Sequence, residues 1–292
     1  MRSTRQEECT PPPGNHWVLG AGGWNLFHHL GVLKAADELG VEVDSVIGAS
    51  AGSLVAAFIT NGYKAEDLVS VFLEMRALRW NPASWLSCLR GADPLSLAVG
   101  GWFSLEPFMR QLVARYKLKP NSRLRILTCD LLRHEPVVFE GTDYDLARAL
   151  AASGAVPGVF QPLWQMKNGR LMLLVDGAVY HYNPTEFNCG QAIVSKFRPA
   201  TDLPGDWETP ADLYFHMREL YFPLAGNQRY VDDNKHIVIE TGMPDVAGLN
   251  FGISRQTCLK MVENGYSTAK PVLAKAIADG RVTASKGTRR RS

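Results

Sequence analysis

Two glycine-rich turns within the first sixty residues constrain this chain more than any other feature of its sequence. Each follows a short apolar run and precedes a stretch with helical spacing. His16-Trp17-Val18-Leu19 runs into Gly20-Ala21-Gly22-Gly23, and from Asn25 to Leu39 apolar residues recur at Leu26, Leu30, Leu33 and Leu39 before Gly40 stops the helix. Ser45-Val46-Ile47-Gly48-Ala49 runs into Ser50 and a helix of small residues from Ala51 to Thr60. Strand, glycine loop, helix, strand, sharp turn, helix is the order of a βαβ unit, which implies a parallel sheet covered by helices.

The rest of the chain extends that pattern. Apolar runs predict strands at Leu124 to Asp130, Pro136 to Phe139, Leu171 to Val175, Ala192 to Phe197 and His236 to Glu240. Helical spacing covers Ala65 to Arg79, Leu105 to Tyr116, Tyr144 to Ala152, Pro210 to Leu220 and Ser254 to Asp279, with Pro271 expected to bend or interrupt the last. With no internal repeat and no low-complexity linker, the 292 residues read as one catalytic-sized α/β domain over 16–280. A Pro-rich, disordered N-terminus (1–15) precedes it and a basic, disordered tail (281–292) follows. The stretch 80–103 fits no clean period. It gathers Trp80, Trp85, Leu86, Leu89, Leu95, Leu97, Trp102 and Phe103 with few charges, as an apolar flap would.

Gly48-Ala49-Ser50-Ala51-Gly52 matches G-x-S-x-G. A serine on a tight strand-to-helix turn lifts its hydroxyl above the sheet, and the flanking Gly48 and Gly52 let the chain pass without side-chain clashes. The helix that begins at Ala51 adds its positive end beneath the site and favours an anionic intermediate. A five-residue pattern arises by chance in Gly/Ala-rich sequence, and a close-packed turn without chemistry has the same residues. The context, an apolar strand before and a helix after, is what the nucleophile needs.

The first glycine turn can present backbone N–H groups to an anion. A dinucleotide pyrophosphate wants G-x-G-x-x-G/A, but Asn25 stands where the third small residue belongs. It also wants an acidic residue at the end of the second strand, which here ends in the Ser50 turn. The oxyanion of an acyl-transfer intermediate suits the loop better, because two adjacent parallel strands deliver donors and serine to one sheet edge. Removing such a donor typically costs roughly 3–4 kcal/mol of transition-state stabilisation.

For a base, His181, His216 and His236 are candidates in the order of an α/β-hydrolase triad, but that fold spends more strands before its nucleophile than fit ahead of Ser50. Asp176-Gly177-Ala178 follows the apolar run Leu171 to Val175. A carboxylate at the end of a buried parallel strand points toward the site edge, and Gly177 permits close approach. A turn or N-cap aspartate reads the same way when considered alone.

Taken together these residues resemble the patatin-like phospholipases. The resemblance rests on Ser50 in its G-x-S-x-G, the glycine loop followed by His29 and Gly31-Val32-Leu33-Lys34, and Asp176-Gly177-Ala178. Ala152-Ser153-Gly154-Ala155-Val156-Pro157 and Gly265-Tyr266 add to it, so that it runs from about Val18 to about Leu273. It implies a three-layer α/β/α sandwich with a mainly parallel central sheet. It also implies a Ser50–Asp176 dyad without histidine, oxyanion donors from the N–H groups of Gly22, Gly23 and Trp24, and release of fatty acid from phospholipid or lysophospholipid. Asn25 and Leu26 stand where the family loop usually has a basic residue and a glycine, which opens the site to neutral glycerides and simple esters. After Asp176 the family's asparagine-rich turn is replaced by Val179-Tyr180-His181-Tyr182-Asn183-Pro184. The same dyad would serve an acyltransferase or a thioesterase, and a lipid-binding protein without turnover is the reading from another class.

Composition bears on partners and location. A formal net charge of +2 is too mild to imply nucleic acid, and the expected partner is a lipid or a membrane surface. No run of about 18 apolar residues predicts a spanning helix, and the polar N-terminus lacks the apolar core of a signal peptide. Five scattered cysteines, never in a CxxC, read as reduced thiols, so a cytoplasmic protein with peripheral membrane contact is expected. No cofactor is expected; neither an EF-hand loop nor a carboxylate cluster calls for a metal.

Overall fold

The computed structural model describes residues 13–78, 103–167, 169–198, 231–246 and 252–285. The Pro-rich segment 1–12, the expected flap up to residue 102, the helix expected over 210–220 and the tail 286–292 lie outside the described residues.

In chain order the elements are β1 (His16–Leu19), α1 (Leu26–Leu39), β2 (Ser45–Ala49), α2 (Ala51–Thr60), α3 (Ala65–Leu78) and α4 (Glu106–Arg115). Then come β3 (Leu124–Asp130), β4 (Glu135–Phe139), α5 (Leu146–Ser153), β5 (Leu163–Lys167), β6 (Arg170–Asp176), β7 (Ile193–Phe197), β8 (Ile237–Thr241) and α6 (Arg255–Ala278). The fold is α/β with a mixed, mostly parallel eight-stranded sheet. β3, β2, β1, β7 and β8 run parallel in that order. β4, β5 and β6 join antiparallel.

Strand alternation puts Trp17 and Leu19 of β1 into the core shared with the helices, while Val18 faces the other side with Ile47 and Val194. All are essentially fully buried, which explains why the central strands read as continuous apolar runs. On the helical side α1 and α6 cross at two glycines. A β-carbon on Gly31 would lie 2.0 Å from the Val262 carbonyl oxygen, and one on Gly265 would lie 2.2 Å from that of His28. This backbone-to-backbone approach is why the Gly31 and Gly265-Tyr266 signals occur together. Pro271 does not interrupt α6, which continues through it to Ala278. The close packing of α1 along α6 holds the helix together across the missing N–H.

The strand carrying Asp176 departs from expectation. β6 is antiparallel to β3, not parallel as its buried apolar run suggested. β3 pairs with β2 through Leu124–Leu127 and with β6 through Thr128–Asp130, while β4 pairs along Ile126–Asp130 and overlaps both. A strand has two edges. β4 therefore takes one, and β2 and β6 share the other, meeting end to end: Ala49 lies opposite Leu127, and Asp176 opposite the next residue, Thr128. A strand buried on both faces has the same composition in either direction, so sequence alone does not reveal this head-on arrangement.

A second departure concerns the cysteines. Cys129 and Cys258 are free and buried, but Cys189 is disulfide-bonded, with its partner outside the described residues. Scattered cysteines carry no pairing information in their spacing, which is why the expectation of five reduced thiols fails there.

Candidate active site

The turn from β2 into α2 sets Ser50. Its φ of 52° and ψ of −124° place a non-glycine residue in a conformation costing on the order of 1–3 kcal/mol, sustained only by surrounding contacts. Two glycines make the turn possible. A β-carbon on Gly48 would lie 2.5 Å from backbone atoms of Gly52 and Ser53. One on Gly52 would lie 2.2 Å from the Leu19 carbonyl oxygen and 2.7 Å from that of Gly20, so the head of α2 rests on the end of β1 and its glycine loop.

Hydrogen bonds clamp the strained residue from both sides. The Ser50 N–H donates to Ser153 Oγ at 2.9 Å, and the Ser153 hydroxyl donates onward to the Leu127 carbonyl at 2.7 Å. The Ser50 carbonyl accepts from the Ser53 hydroxyl at 2.6 Å and from its N–H at 3.0 Å. Ser153, fully buried at the end of α5, thus ties the turn to β3. Ser153→Ala leaves two buried backbone groups short of a partner and is expected to lower unfolding stability by about 1–3 kcal/mol, checked by denaturant unfolding. The same substitution is expected to slow turnover, because the Ser50 turn loses one of its two clamps.

The Ser50 hydroxyl donates to Asp176 Oδ2 at 2.6 Å. Asp176 is 1% exposed, and its other oxygen, Oδ1, accepts from the Ala178 N–H at 2.8 Å. Its own N–H donates to the Ala155 carbonyl at 3.0 Å, fixing the carboxylate from the main chain. Gly177 is required beside it, because a β-carbon there would lie 2.4 Å from the Leu127 carbonyl oxygen. Ala21, Ala49 and Ala178, each next to or near one of the site's turns in sequence, form one buried cluster with Leu127. Sequence positions 126 apart meet here because β2 and β6 arrive head-on along β3.

The glycine loop is held rigidly at its entry. The Gly20 N–H donates to the Ser195 carbonyl at 3.0 Å, and the Ala21 N–H donates to the Tyr182 carbonyl at 2.9 Å. His29 Nε2 lies 2.9 Å from the Gly20 carbonyl oxygen and Nδ1 lies 2.7 Å from Ser195 Oγ. Burial lowers the His29 pKa to about 3, so the ring is neutral: Nε2–H donates to Gly20 and Nδ1 accepts from the Ser195 hydroxyl. Gly22 is extended, Gly23 takes φ 55°, and Gly23–Asn25 forms a 3₁₀ turn closed by the Asn25 N–H on the Gly22 carbonyl at 3.0 Å. The N–H groups of Gly22 and Gly23 find no acceptor among the described residues. Trp24 is buried in the same turn, stacked on Phe27.

Ser50, Asp176, Gly48, Gly52 and Gly177 therefore converge, and the loop of Gly22, Gly23 and Trp24 adjoins them through Gly20 and Gly52. Of the histidines considered as a base, His236 Nδ1 accepts from the Ala192 N–H and His181 Nδ1 from the Asn183 N–H, both at 3.1 Å; His216 lies outside the described residues. No described histidine is hydrogen-bonded to Ser50. The roles of Ser153 and of the His29–Ser195 pair escaped the sequence reading, although Ser153 lies in a stretch that carried the resemblance. Among the described residues no cluster of three or more His, Cys, Asp and Glu side chains could hold a metal, and no helix is long and apolar enough to cross a membrane.

Comparison with known proteins agrees with this arrangement of elements. A family model described as patatin-like phospholipase matches residues 17–187. Patatin-like phospholipase domain-containing protein 6 of Mus musculus is 30% identical over 250 residues, which cover 84% of this chain and 17% of that protein. This chain thus spans under a fifth of that relative's length. The protein YqhO of Bacillus subtilis is 23% identical over 287 residues, covering 85% of this chain and 94% of its own. Among solved structures, VipD from Legionella pneumophila shares the fold with a TM-score of 0.50 at 14% identity, over 90% of this chain and 67% of that one.

Proposed function

The chain belongs to the patatin-like phospholipase family, and from that premise we propose that it is a serine lipid acyl hydrolase acting on phospholipid or lysophospholipid. The observation that carries the reading is the 2.6 Å hydrogen bond from the Ser50 hydroxyl to the buried Asp176 carboxylate, made on a strained turn beside a glycine loop.

In the proposed reaction Ser50 Oγ attacks the ester carbonyl while its proton passes to Asp176 Oδ2. The carbonyl oxygen becomes an oxyanion and accepts from the Gly22 and Gly23 N–H groups, with Trp24 completing the turn. Collapse of the tetrahedral intermediate breaks the ester C–O bond, and Asp176 returns the proton to the departing alcohol. Water then repeats the sequence on the acyl-Ser50 ester, giving up its proton to Asp176 and releasing fatty acid. An aspartate is by nature a weak base, with an ordinary pKa near 4. Alignment supplies what basicity does not: both carboxylate oxygens are fixed and no proton has to travel beyond one hydrogen bond.

Asn25, in place of the family's basic residue, brings no charge to a phosphate. Lysophospholipids and neutral glycerides therefore belong beside diacyl phospholipids in the test. Mixed vesicles containing all three classes are expected to yield free fatty acid with the wild-type protein. Absence of release from every class, at protein concentrations where vesicle binding is saturated, would move the protein to lipid binding without turnover.

A further inference from the structure

The end-to-end meeting of β2 and β6 leaves part of the sheet standing beyond the site. β3 continues past Leu127 to Asp130, flanked by β4 on one edge and by β6 with β5 on the other. β3 and β4 cross the level of Asp176, β6 reaches back to it from outside, and β5 lies wholly beyond it. At about 3.3 Å per residue, Leu131 stands about 10 Å beyond the Thr128–Asp176 level, and Leu171 about 17 Å.

This projection carries an unusual surface. Leu131, Leu132, Met166 and Leu171 are four of the five large apolar side chains exposed among the described residues; the fifth, Leu259, lies away on α6. Met166 and Leu171 are directly opposed across the β5–β6 hairpin, and the Leu131 N–H donates to the Leu173 carbonyl on the same strand. Leu171 and Leu173 lie two residues apart on one face of β6, so Met166 and Leu171 are exposed together on the hairpin, with Leu131 and Leu132 beside it at the end of β3. Lys167 and Arg170 form the next cross-strand pair and so stand on the other face of the same hairpin tip, and Arg133 stands in the turn after β3; all three are exposed. Arg133 and Arg170 are pinned at 2.9 and 3.1 Å by buried Asp130, and Arg170 also pairs with Glu135. Three cations against two carboxylates leave a small positive excess at the rim. The His134 ring lies 5.9 Å from that of Tyr180, four residues after Asp176, so the projection is continuous with the site.

We propose that this projection is the surface by which the protein docks on a lipid bilayer, inserting Leu131, Leu132, Met166 and Leu171 among the acyl chains with Arg133, Lys167 and Arg170 at the headgroups of anionic lipid. Exposed apolar groups rimmed by basic ones are the composition of an interfacial anchor, which enters roughly 5–10 Å below the headgroup boundary. Such insertion brings the Ser50–Asp176 edge toward the leaflet while leaving it outside the hydrocarbon. The assignment deepens the lipid-hydrolase reading and rests on it for its purpose. It assigns membrane contact to residues other than those of the expected apolar flap 80–103.

The test is flotation of the full chain with phosphatidylcholine vesicles with and without phosphatidylserine, alongside hydrolysis of a soluble short-chain nitrophenyl ester. Met166→Ser/Leu171→Ser and, separately, Leu132→Glu are expected to weaken vesicle binding about tenfold or more. Lys167→Glu is expected to remove the added binding that phosphatidylserine confers. All are expected to leave soluble-ester hydrolysis at the wild-type level. Unchanged flotation in both apolar variants overturns the proposal, as does a wild-type dimer in gel filtration that these variants dissociate, because a second copy would then cover the patch. A wild-type protein inert on the soluble ester would count against the hydrolase reading alone, since flotation reads docking without turnover.

Discussion

Ser50→Ala is expected to lower fatty-acid release by about ten-thousand-fold or more while leaving the fold intact. The hydroxyl is the only part of Ser50 that the proposed chemistry consumes. The clamps on its turn use main-chain atoms, the N–H on Ser153 and the carbonyl on Ser53, and alanine keeps both. Alanine also accepts the backbone conformation of Ser50 no worse than serine does, so thermal stability should stay near wild type. What remains after the substitution is whatever the glycine loop and substrate binding supply on their own, which in serine hydrolases is a small fraction of the total. Release within a few-fold of wild type would show that another group attacks the ester.

Asp176→Asn carries the second large effect, an expected fall of about a thousand- to ten-thousand-fold. Asparagine is nearly isosteric. Its carbonyl oxygen can keep the bond from the Ala178 N–H, and its amide then faces Ser50 Oγ as a donor. The geometry survives and the direction of the hydrogen bond reverses, so the Ser50 proton has nowhere to go. The magnitude follows the general cost of turning a base's partner into a donor in a serine hydrolase. Substrate affinity should change little, so the loss is expected in kcat, with KM near wild type. A variant that kept kcat and lost only KM would make Asp176 a structural turn residue, the role such an aspartate most often has.

The parts of the fold that were legible from sequence are those written in short windows. Each glycine turn lies between its own strand and helix, so Gly22, Gly23, Gly48, Ser50 and Gly52 announce themselves within a few residues. The β5 strand was missed, although Asn168-Gly169 between Met166 and Leu171 is a hairpin signal, because five residues with two polar members give little periodicity. The direction of β6 was misread since burial on both faces erases the difference between parallel and antiparallel neighbours. Partners distant in sequence were invisible for another reason. Ser153 acts through Ser50, 103 residues away, and through Leu127, 26 away, while His29 pairs with Ser195 across 166. No local pattern encodes such distances; they follow from where the sheet places strand ends. The resemblance marked the stretch holding Ser153 without revealing what its hydroxyl does.

His29 illustrates how family position and physical role can separate. It sits in the helix that follows the glycine loop, among the residues that carry the family resemblance. Fully buried and neutral down to about pH 3, it instead joins the end of β1 to β7 through Gly20 and Ser195. Its contribution to the site is the position of the loop whose next N–H groups are proposed to meet the oxyanion.

Whether Ser50 is the nucleophile is decided by treating the protein with a fluorophosphonate, digesting it, and locating the adduct by peptide mass. A single adduct is expected on Ser50, absent in Ser50→Ala and formed much more slowly in Asp176→Asn. An adduct on any other serine, or undiminished labelling of Ser50→Ala, would contradict that role.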